Sequence, residues 1–271
     1  DVYPEDKAGA KSVADIADVM LPHLGASTHE ANTNAARRAA EQLIAYVANG
    51  VTKCVVNKGV PDELDENYQQ LAFVTTRLAR RFLGIERSVR RIECSFHGDL
   101  GQYAKWFLAP IVAGISADFD AVNDPQDAEA YLTDKGISYD VRDVAGDKKY
   151  GNSMTIELLA GEDLIRQVSI RGTIAENNLM ISRIDNFEGL YFRPKGFVLM
   201  VRYQDRPGVL AAITGAVAET GINIDDIRSP HDPSIGKSLA VLKTNRLVPE
   251  ETVASIKDAT KAEIAIAMAL P

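Results

Sequence analysis

The apolar positions in the last third of the chain change period at one point. Phe197-Val198-Leu199-Met200-Val201-Arg202-Tyr203 is a strand-like run. It ends at Gln204-Asp205-Arg206-Pro207-Gly208, beyond which Leu210, Ile213 and Val217 fall on one helical face. Pro207 presets φ for helix entry, Gly208 lets the backbone approach closely, and the first turn leaves N–H groups without partners. Such a terminus favours a small anion, an amino-acid carboxylate for example. Gly221 closes the helix, and Ile222-Asn223-Ile224 opens a second strand.

Upstream, Val13, Ile16, Val19 and Met20 mark a loose helix that ends in Leu21-Pro22-His23-Leu24-Gly25. Ser27 and Glu30 read as a capping box for a helix running to about Ala48, with Leu43, Ile44 and Val47 on one side. Val51–Val56 is a short apolar strand, and the turn-rich Asn57–Asp62 makes a first domain boundary. Helices are expected over Asn67–Leu83, Gln102–Ala117 (interrupted by Pro110) and Gln126–Lys135 behind Asp124-Pro125. Strands are expected over Ser88–His97, Ile137–Val144, Ser153–Ala160, Leu164–Ile174, Leu179–Ile184 and Gly189–Phe192. Arg193-Pro194-Lys195-Gly196 is the second boundary, its interior Pro and Gly interrupting any continuous element. The chain thus divides into residues 1–56, 57–195 and 196–271.

Composition narrows the classes. The 271 residues, 46% hydrophobic and 25% charged, suit a soluble globular chain of two or three domains. A net charge of −8 gives no basic field for nucleic acid or an anionic membrane, so any anion site is a local cluster. Cys54 and Cys94 have no metal-ligand spacing and suit a reducing compartment, so a cytoplasmic chain without a metal is expected. Apolar runs stay below the roughly 20 residues that cross a bilayer, so no membrane partner is expected. Asp1-Val2-Tyr3-Pro4 does not build a signal peptide and reads as an internal segment of something longer.

Three constellations carry candidate chemistry. His23 stands in a Pro/Gly loop before a capped helix, as an acid/base residue or as a merely solvated one. Tyr203, Asp205 and Asn223 bracket the turn Arg206-Pro207-Gly208, with Val209 and Leu210 following it. Asp205 suits an α-ammonium, Asn223 both donates and accepts, and the turn N–H groups suit a carboxylate. The same residues serve equally as turn and strand-start residues with no ligand. Arg183, Arg193, Lys195 and Lys243 are cations that make a phosphate or carboxylate site if they converge, and scattered surface charge if they do not. His97 with Asp99, and His231 between two prolines, read more simply as turn residues, while Trp106 and Phe107 fit a buried helix face.

The motifs also carry a resemblance. The β-turn-α block with Gly221 and Asn223 resembles an ACT domain, a βαββαβ ferredoxin-like module that binds amino acids. The loop Pro22–Thr28 with Glu30-Ala31-Asn32 resembles the catalytic-histidine loop of the D-2-hydroxyacid dehydrogenases, in wording nearest the phosphoglycerate dehydrogenase branch. Val122-Asn123, Ala128-Glu129, Gly136-Ile137, Gly172-Thr173-Ile174 and Arg183-Ile184 are similar to the intervening domain of the long members of that branch.

The resemblance implies an α/β (α+β) chain in three parts. These are the end of a dehydrogenase catalytic unit with its crossover helix, an allosteric substrate- or anion-binding domain, and an ACT domain. It implies His23 as acid/base and Tyr203, Asp205, Arg206, Gly208, Val209, Leu210 and Asn223 around an effector, L-serine or another small amino acid, bound across a dimer interface. It further implies Arg183, Arg193, Lys195 and Lys243 around a phosphate-bearing substrate or other anion, and homo-oligomers formed through the ACT and intervening domains. The parent would oxidise D-3-phosphoglycerate with NAD at the entry to L-serine synthesis. This chain carries no G-x-G-x-x-G, so no cofactor and no oxidation are expected of it alone. Two other readings stay open. One is a freestanding amino-acid sensor or assembly module; the other is the regulatory part of an iron–sulfur serine dehydratase, for which two cysteines are too few.

Overall fold

The structure is a computed structural model that describes residues 28–49, 60–61, 63–119, 125–142, 144, 151–161 and 166–270. His23, the strand expected at Val51–Val56 and Cys54 lie outside the described residues. The chain divides after Val47 into two units.

Helix α1 (His29–Asn49) carries an acidic residue, Glu30, in its first turn. Its cap is Thr28, whose Oγ1 accepts from the Ala31 N–H at 3.0 Å; Ser27, the cap expected from sequence, lies outside the described residues. Thr28 stands three residues before that donor, the spacing a cap requires.

The second unit holds two sheets. The first is built from β1 (Val89–His97), β2 (Ser138–Arg142), β3 (Ser153–Ala160), β4 (Arg166–Ala175), β5 (Asn178–Ile184) and β6 (Phe187–Phe192), in the order β2-β1-β3-β4-β5-β6. Helices α2 (Glu66–Leu83), α3 (Ala104–Ile115) and α4 (Pro125–Lys135) belong to this part, and a 3₁₀ segment, Gly98–Tyr103, stands where the expected second helix was to begin. β1 and β2 run parallel through the α3–α4 crossover; the other pairs are antiparallel.

Close approach organises this layer. α2 rests on the sheet at Gly172, where an added Cβ would meet Leu71 Cδ1 at 2.8 Å and Thr75 Oγ1 at 2.9 Å. α3 crosses α2 at Gly114, where a Cβ would lie 2.8 Å from the Phe73 carbonyl oxygen. Pro110 sits inside α3, where it removes the hydrogen bond to the carbonyl of Trp106. The buried Gln69 of α2 supplies the missing donor, its Nε2 lying 3.2 Å from that oxygen.

The second sheet comprises β7 (Gly196–Gln204), β8 (Ile224–Arg228), β10 (Lys237–Thr244) and β11 (Ile264–Leu270) in the order β11-β7-β10-β8, with the short β9 (His231–Asp232) paired to β10. With α5 (Val209–Glu219) and α6 (Glu250–Thr260) the chain order is βαββαβ. Leu199, Val201, Tyr203, Ala240 and Leu242 form one core with Val209, Ile213, Val217 and Ile256 of the two helices.

The opposite face of the same sheet is apolar too. Val198, Met200, Leu239, Val241, Ile264, Met268 and Leu270 belong to the core that fills the first sheet and its helices. Arg202, next on that face after Met200, ends the seam. Its guanidinium pairs with Asp185 of the β5–β6 turn at 2.9 Å and with Glu263 at 3.2 Å, and lies 5.6 Å from the Phe82 ring centroid. Lys237 also pairs with Glu263. Burial raises the carboxyl pKa of Asp185 above its ordinary value, and the Ser169 N–H and Arg202 only partly offset this. The raised value means that protonated Asp185 favours the fold, a contribution lost as pH rises through the folded pKa.

Two outcomes follow. Gly114→Ala gains about 1 kcal/mol of helix propensity but forces α3 off the Phe73 backbone. A net loss of about 1–2 kcal/mol is expected in urea denaturation, and a gain would show that α2 and α3 separate freely. Arg202→Met strands the Asp185 carboxylate and should cost about 2 kcal/mol at pH 7. Adding Asp185→Asn should recover most of that loss; if the two losses simply add, the pair is not coupled.

Candidate functional site

The β7–α5 turn is built as its sequence requires. Gly208 adopts φ 86° with open space around it and stands as the N-cap of α5. An L side chain disfavours that conformation, so glycine is needed here for its backbone and not for room. The Ala212 N–H donates to the Gly208 carbonyl at 2.9 Å, which leaves the amides of residues 209–211 as the free first-turn donors of the helix. Val209 and Tyr203 are buried and anchor the turn from below. Arg206 points elsewhere: its Nη2 donates to the Thr260 carbonyl at 2.9 Å, at the C-terminal end of α6.

Asp205 is held by neighbours on both sides. Its Oδ1 accepts from Ser238 Oγ at 2.9 Å, its Oδ2 lies 3.5 Å from His231 Nδ1, and its N–H donates to the Gly236 carbonyl. An ammonium approaching Asp205 therefore meets a carboxylate already aimed by a serine. The sequence pattern carries no sign of Ser238 and marks His231 only as a loop residue; both come to Asp205 through the pairing of β9 and β10.

Asn223 is not beside this turn, which corrects the bracket expected from sequence. β7 pairs with β10 so that Gln204 faces Lys237 and Phe197 faces Thr244, and Thr244 in turn faces Ile224. Asp205 lies beyond one end of the sheet and Asn223 beyond the other, roughly 25–30 Å apart by strand rise. The reason is topological: β7 runs one way, α5 brings the chain back, and β8 starts where β7 started. Asn223 donates to Asp225 Oδ1 at 2.9 Å, and its N–H is held by Asn245 Oδ1 at 3.0 Å. It lines a shallow groove with Thr214, Gly215 and Ala218 of α5.

The four cations are likewise distributed. Arg183 lines two cavities, one of about 160 Å³ with Arg171, Ser153 and Tyr191 and one shared with the loop Pro230–Ser234. Arg193, Lys195 and Lys243 line neither. Lys243 faces Val198 across the second sheet, and Arg193 and Lys195 lie in the connection between β6 and β7. Burial and the neighbouring Arg171 both lower the Arg183 guanidinium pKa.

His97 is buried, and Asp99 uses its N–H on Asn152 Oδ1, so the two serve the 3₁₀ turn. Cys94 is fully buried beside Tyr139, and burial raises its thiol pKa far above the ordinary value. Phe107 is buried, whereas Trp106 is only partly so. Among the described residues no group of His, Cys, Asp and Glu is placed to hold a metal, and no helix is long and apolar enough to cross a membrane.

Comparison with known proteins agrees with this architecture. The ACT domain family matches residues 197–260. A D-3-phosphoglycerate dehydrogenase of Methanocaldococcus jannaschii is 28% identical, covering 95% of this chain and 49% of that one. The enzymes of that name from Synechocystis and Bacillus subtilis are 23% and 20% identical over 96% and 87% of this chain. The chain spans about half the length of the curated relatives it matches. Among solved structures, a homoserine dehydrogenase from Thiobacillus denitrificans matches 45% of this chain at a TM-score of 0.23 and 17% identity, too slight to carry an argument. Residues 197–260 are therefore an ACT domain, in a chain related over nearly its whole length to about half of a D-3-phosphoglycerate dehydrogenase.

Proposed function

We propose that this chain is the regulatory portion of an NAD-dependent D-3-phosphoglycerate dehydrogenase, and that its ACT domain takes L-serine as a feedback effector. The observation that carries the reading is the run of relatives bearing that name across 87–97% of the chain, with an ACT domain at 197–260. The parent reaction oxidises the 2-hydroxyl of 3-phosphoglycerate to the ketone of 3-phosphohydroxypyruvate, the hydride passing to NAD. His23 would take the hydroxyl proton. The nucleotide site belongs to the part of the parent outside this chain, which has no G-x-G-x-x-G. The intervening part would take a phosphate-bearing ligand through a cluster that includes Arg183, and Arg193, Lys195 and Lys243 are the other cations of that reading.

The effector reading needs two copies of the chain. The free N–H groups of α5 and the Ser238-aimed Asp205 suit the carboxylate and ammonium of an amino acid. Asn223 stands at the far end of α5, next to a groove of small residues. Two-fold pairing through α5 and the open edge of β8 would set the turn of one copy against Asn223 of the other. Ligand between copies would then favour one subunit arrangement over another.

Calorimetric titration with L-serine, against glycine and L-valine, tests this. Asp205→Ala and Asn223→Ala should each weaken binding about tenfold or more, although the two residues stand apart in one chain. Mixing the two variants should restore about a quarter of the sites, because each mixed pair rebuilds one intact site of two. Unchanged affinity in Asp205→Ala removes that residue from the site, and no selective heat from the unaltered chain removes serine as effector.

A further inference from the structure

The carboxylate at the β7–α5 turn is already engaged within its own chain. β9 and β10 pair His231 with Ser238 and Asp232 with Lys237, which brings an imidazole and a hydroxyl together beside Asp205. Ser238 Oγ lies 2.9 Å from Asp205 Oδ1 and 3.4 Å from His231 Nδ1, and that nitrogen lies 3.5 Å from Asp205 Oδ2. The triangle is not a nucleophilic relay. A relay places the imidazole between hydroxyl and carboxylate, whereas Ser238 reaches Asp205 directly.

Counting hydrogens orders the three groups. Ser238 has one hydroxyl hydrogen, and the short contact commits it to Asp205. Its oxygen and Asp205 Oδ2 then only accept, so His231 Nδ1 carries a hydrogen. Both contacts of that nitrogen exceed the usual N–H···O length of about 2.9–3.0 Å. Ser238 therefore aims the carboxylate, and His231 covers its second oxygen loosely. Asp205 and His231 are both exposed and within reach of a solute.

Other charges nearby are committed elsewhere. Arg206 donates to the Thr260 carbonyl, Lys237 pairs with Glu263, and Arg228 pairs with Asp226. The Tyr203 hydroxyl lies 3.4 Å from Ser229 Oγ, and Asp232 accepts from Ser234. His231 also lines the cavity that holds Arg183, Asp185 and Glu188. There Asp185 pairs with Arg202, and Glu188 stands opposite Arg183 on the neighbouring strand.

We propose that His231 is an internal stand-in for the ligand's ammonium. In the empty site the imidazolium neutralises Asp205; an amino acid binds by displacing it, and the ring's proton passes to solvent. The inference rests on the reading that this turn takes an amino acid, and it adds Ser238 as a positioning residue and His231 as a specificity residue. An ammonium at Asp205 Oδ2 stands against a second positive charge until the ring gives up its proton. The protonated ring thus favours the empty site, and affinity rises as pH rises through the imidazole range. A ligand with a carboxylate but no ammonium leaves the imidazolium in place, so the site selects amino acids over hydroxy acids.

Calorimetry of the full chain with L-serine at pH 8 and pH 5.5, each in two buffers of different ionisation heat, tests this. L-Serine is a zwitterion at both. Affinity should fall about tenfold at pH 5.5, with protons released there and few at pH 8. Glycerate, which has a hydroxyl in place of the ammonium, should release none. His231→Gln should bind L-serine within twofold at the two pH values and release no proton. His231→Lys, a lasting cation, should bind it at least tenfold more weakly at both. Ser238→Ala should weaken binding several-fold and keep the pH dependence, and Glu188→Gln should leave that dependence in place. If the unaltered chain binds L-serine equally at both pH values, or if His231→Gln keeps the pH dependence, His231 has no such role and the effector reading stands. If L-serine binds at neither pH, both fail.

Discussion

The ACT sheet is buried on both of its faces, and the rest of the second unit is arranged around that fact. A sheet of this kind needs only one apolar face to hold its own two helices. Here the other face, from Val198 and Met200 to Leu270, is apolar as well and enters the core of the first sheet. Hydrophobic contact alone does not fix an angle. Arg202 supplies direction: it pairs with Asp185 on one side and Glu263 on the other while its guanidinium lies over Phe82. Burial at this position raises the carboxyl pKa of Asp185, and Arg202 offsets part of that rise.

The run Phe197–Val201 does not alternate, as a strand covered on both sides requires, but by itself it reads only as a strand, and the second covering surface lies in distant segments. Helix caps and turns read well where one residue decides them, as at Gly208 and Gly221. What could not be read was anything set by pairing between distant segments. The separation of Asp205 from Asn223 follows from strand register, and the partners of Asp205 arrive from β9 and β10. The pairing of Arg171 with Arg183 stands beside a bulge, and bulges leave no signal in hydrophobic period. At the start of α1 two hydroxyl residues adjoin, and the hydrogen bond to Thr28 Oγ1 marks a boundary that sequence reads only to within a residue.

One loop joins features that the linear sequence keeps apart. Pro230–Ser234 walls a cavity with Arg183 and Asp185 of the first sheet, and the same loop carries His231 to the carboxylate of Asp205. Asp232 fixes the loop by accepting from the N–H and the hydroxyl of Ser234. A displacement of these few residues alters the surroundings of the β7–α5 turn and of Arg183 together, with no change of secondary structure needed between them.

The connection Arg193–Lys195 is a break in the chain's local pattern but not in its interior. A recombination event that cut there and delivered the ACT domain to another enzyme would hand over half of a hydrophobic core. The newcomer would have to offer a matching apolar surface, a counter-charge for Arg202 and an aromatic ring beneath it. The two parts therefore share one interior: a change of volume at Val198, Met200 or Met268 is felt by residues of α2 and the first sheet, far away in sequence.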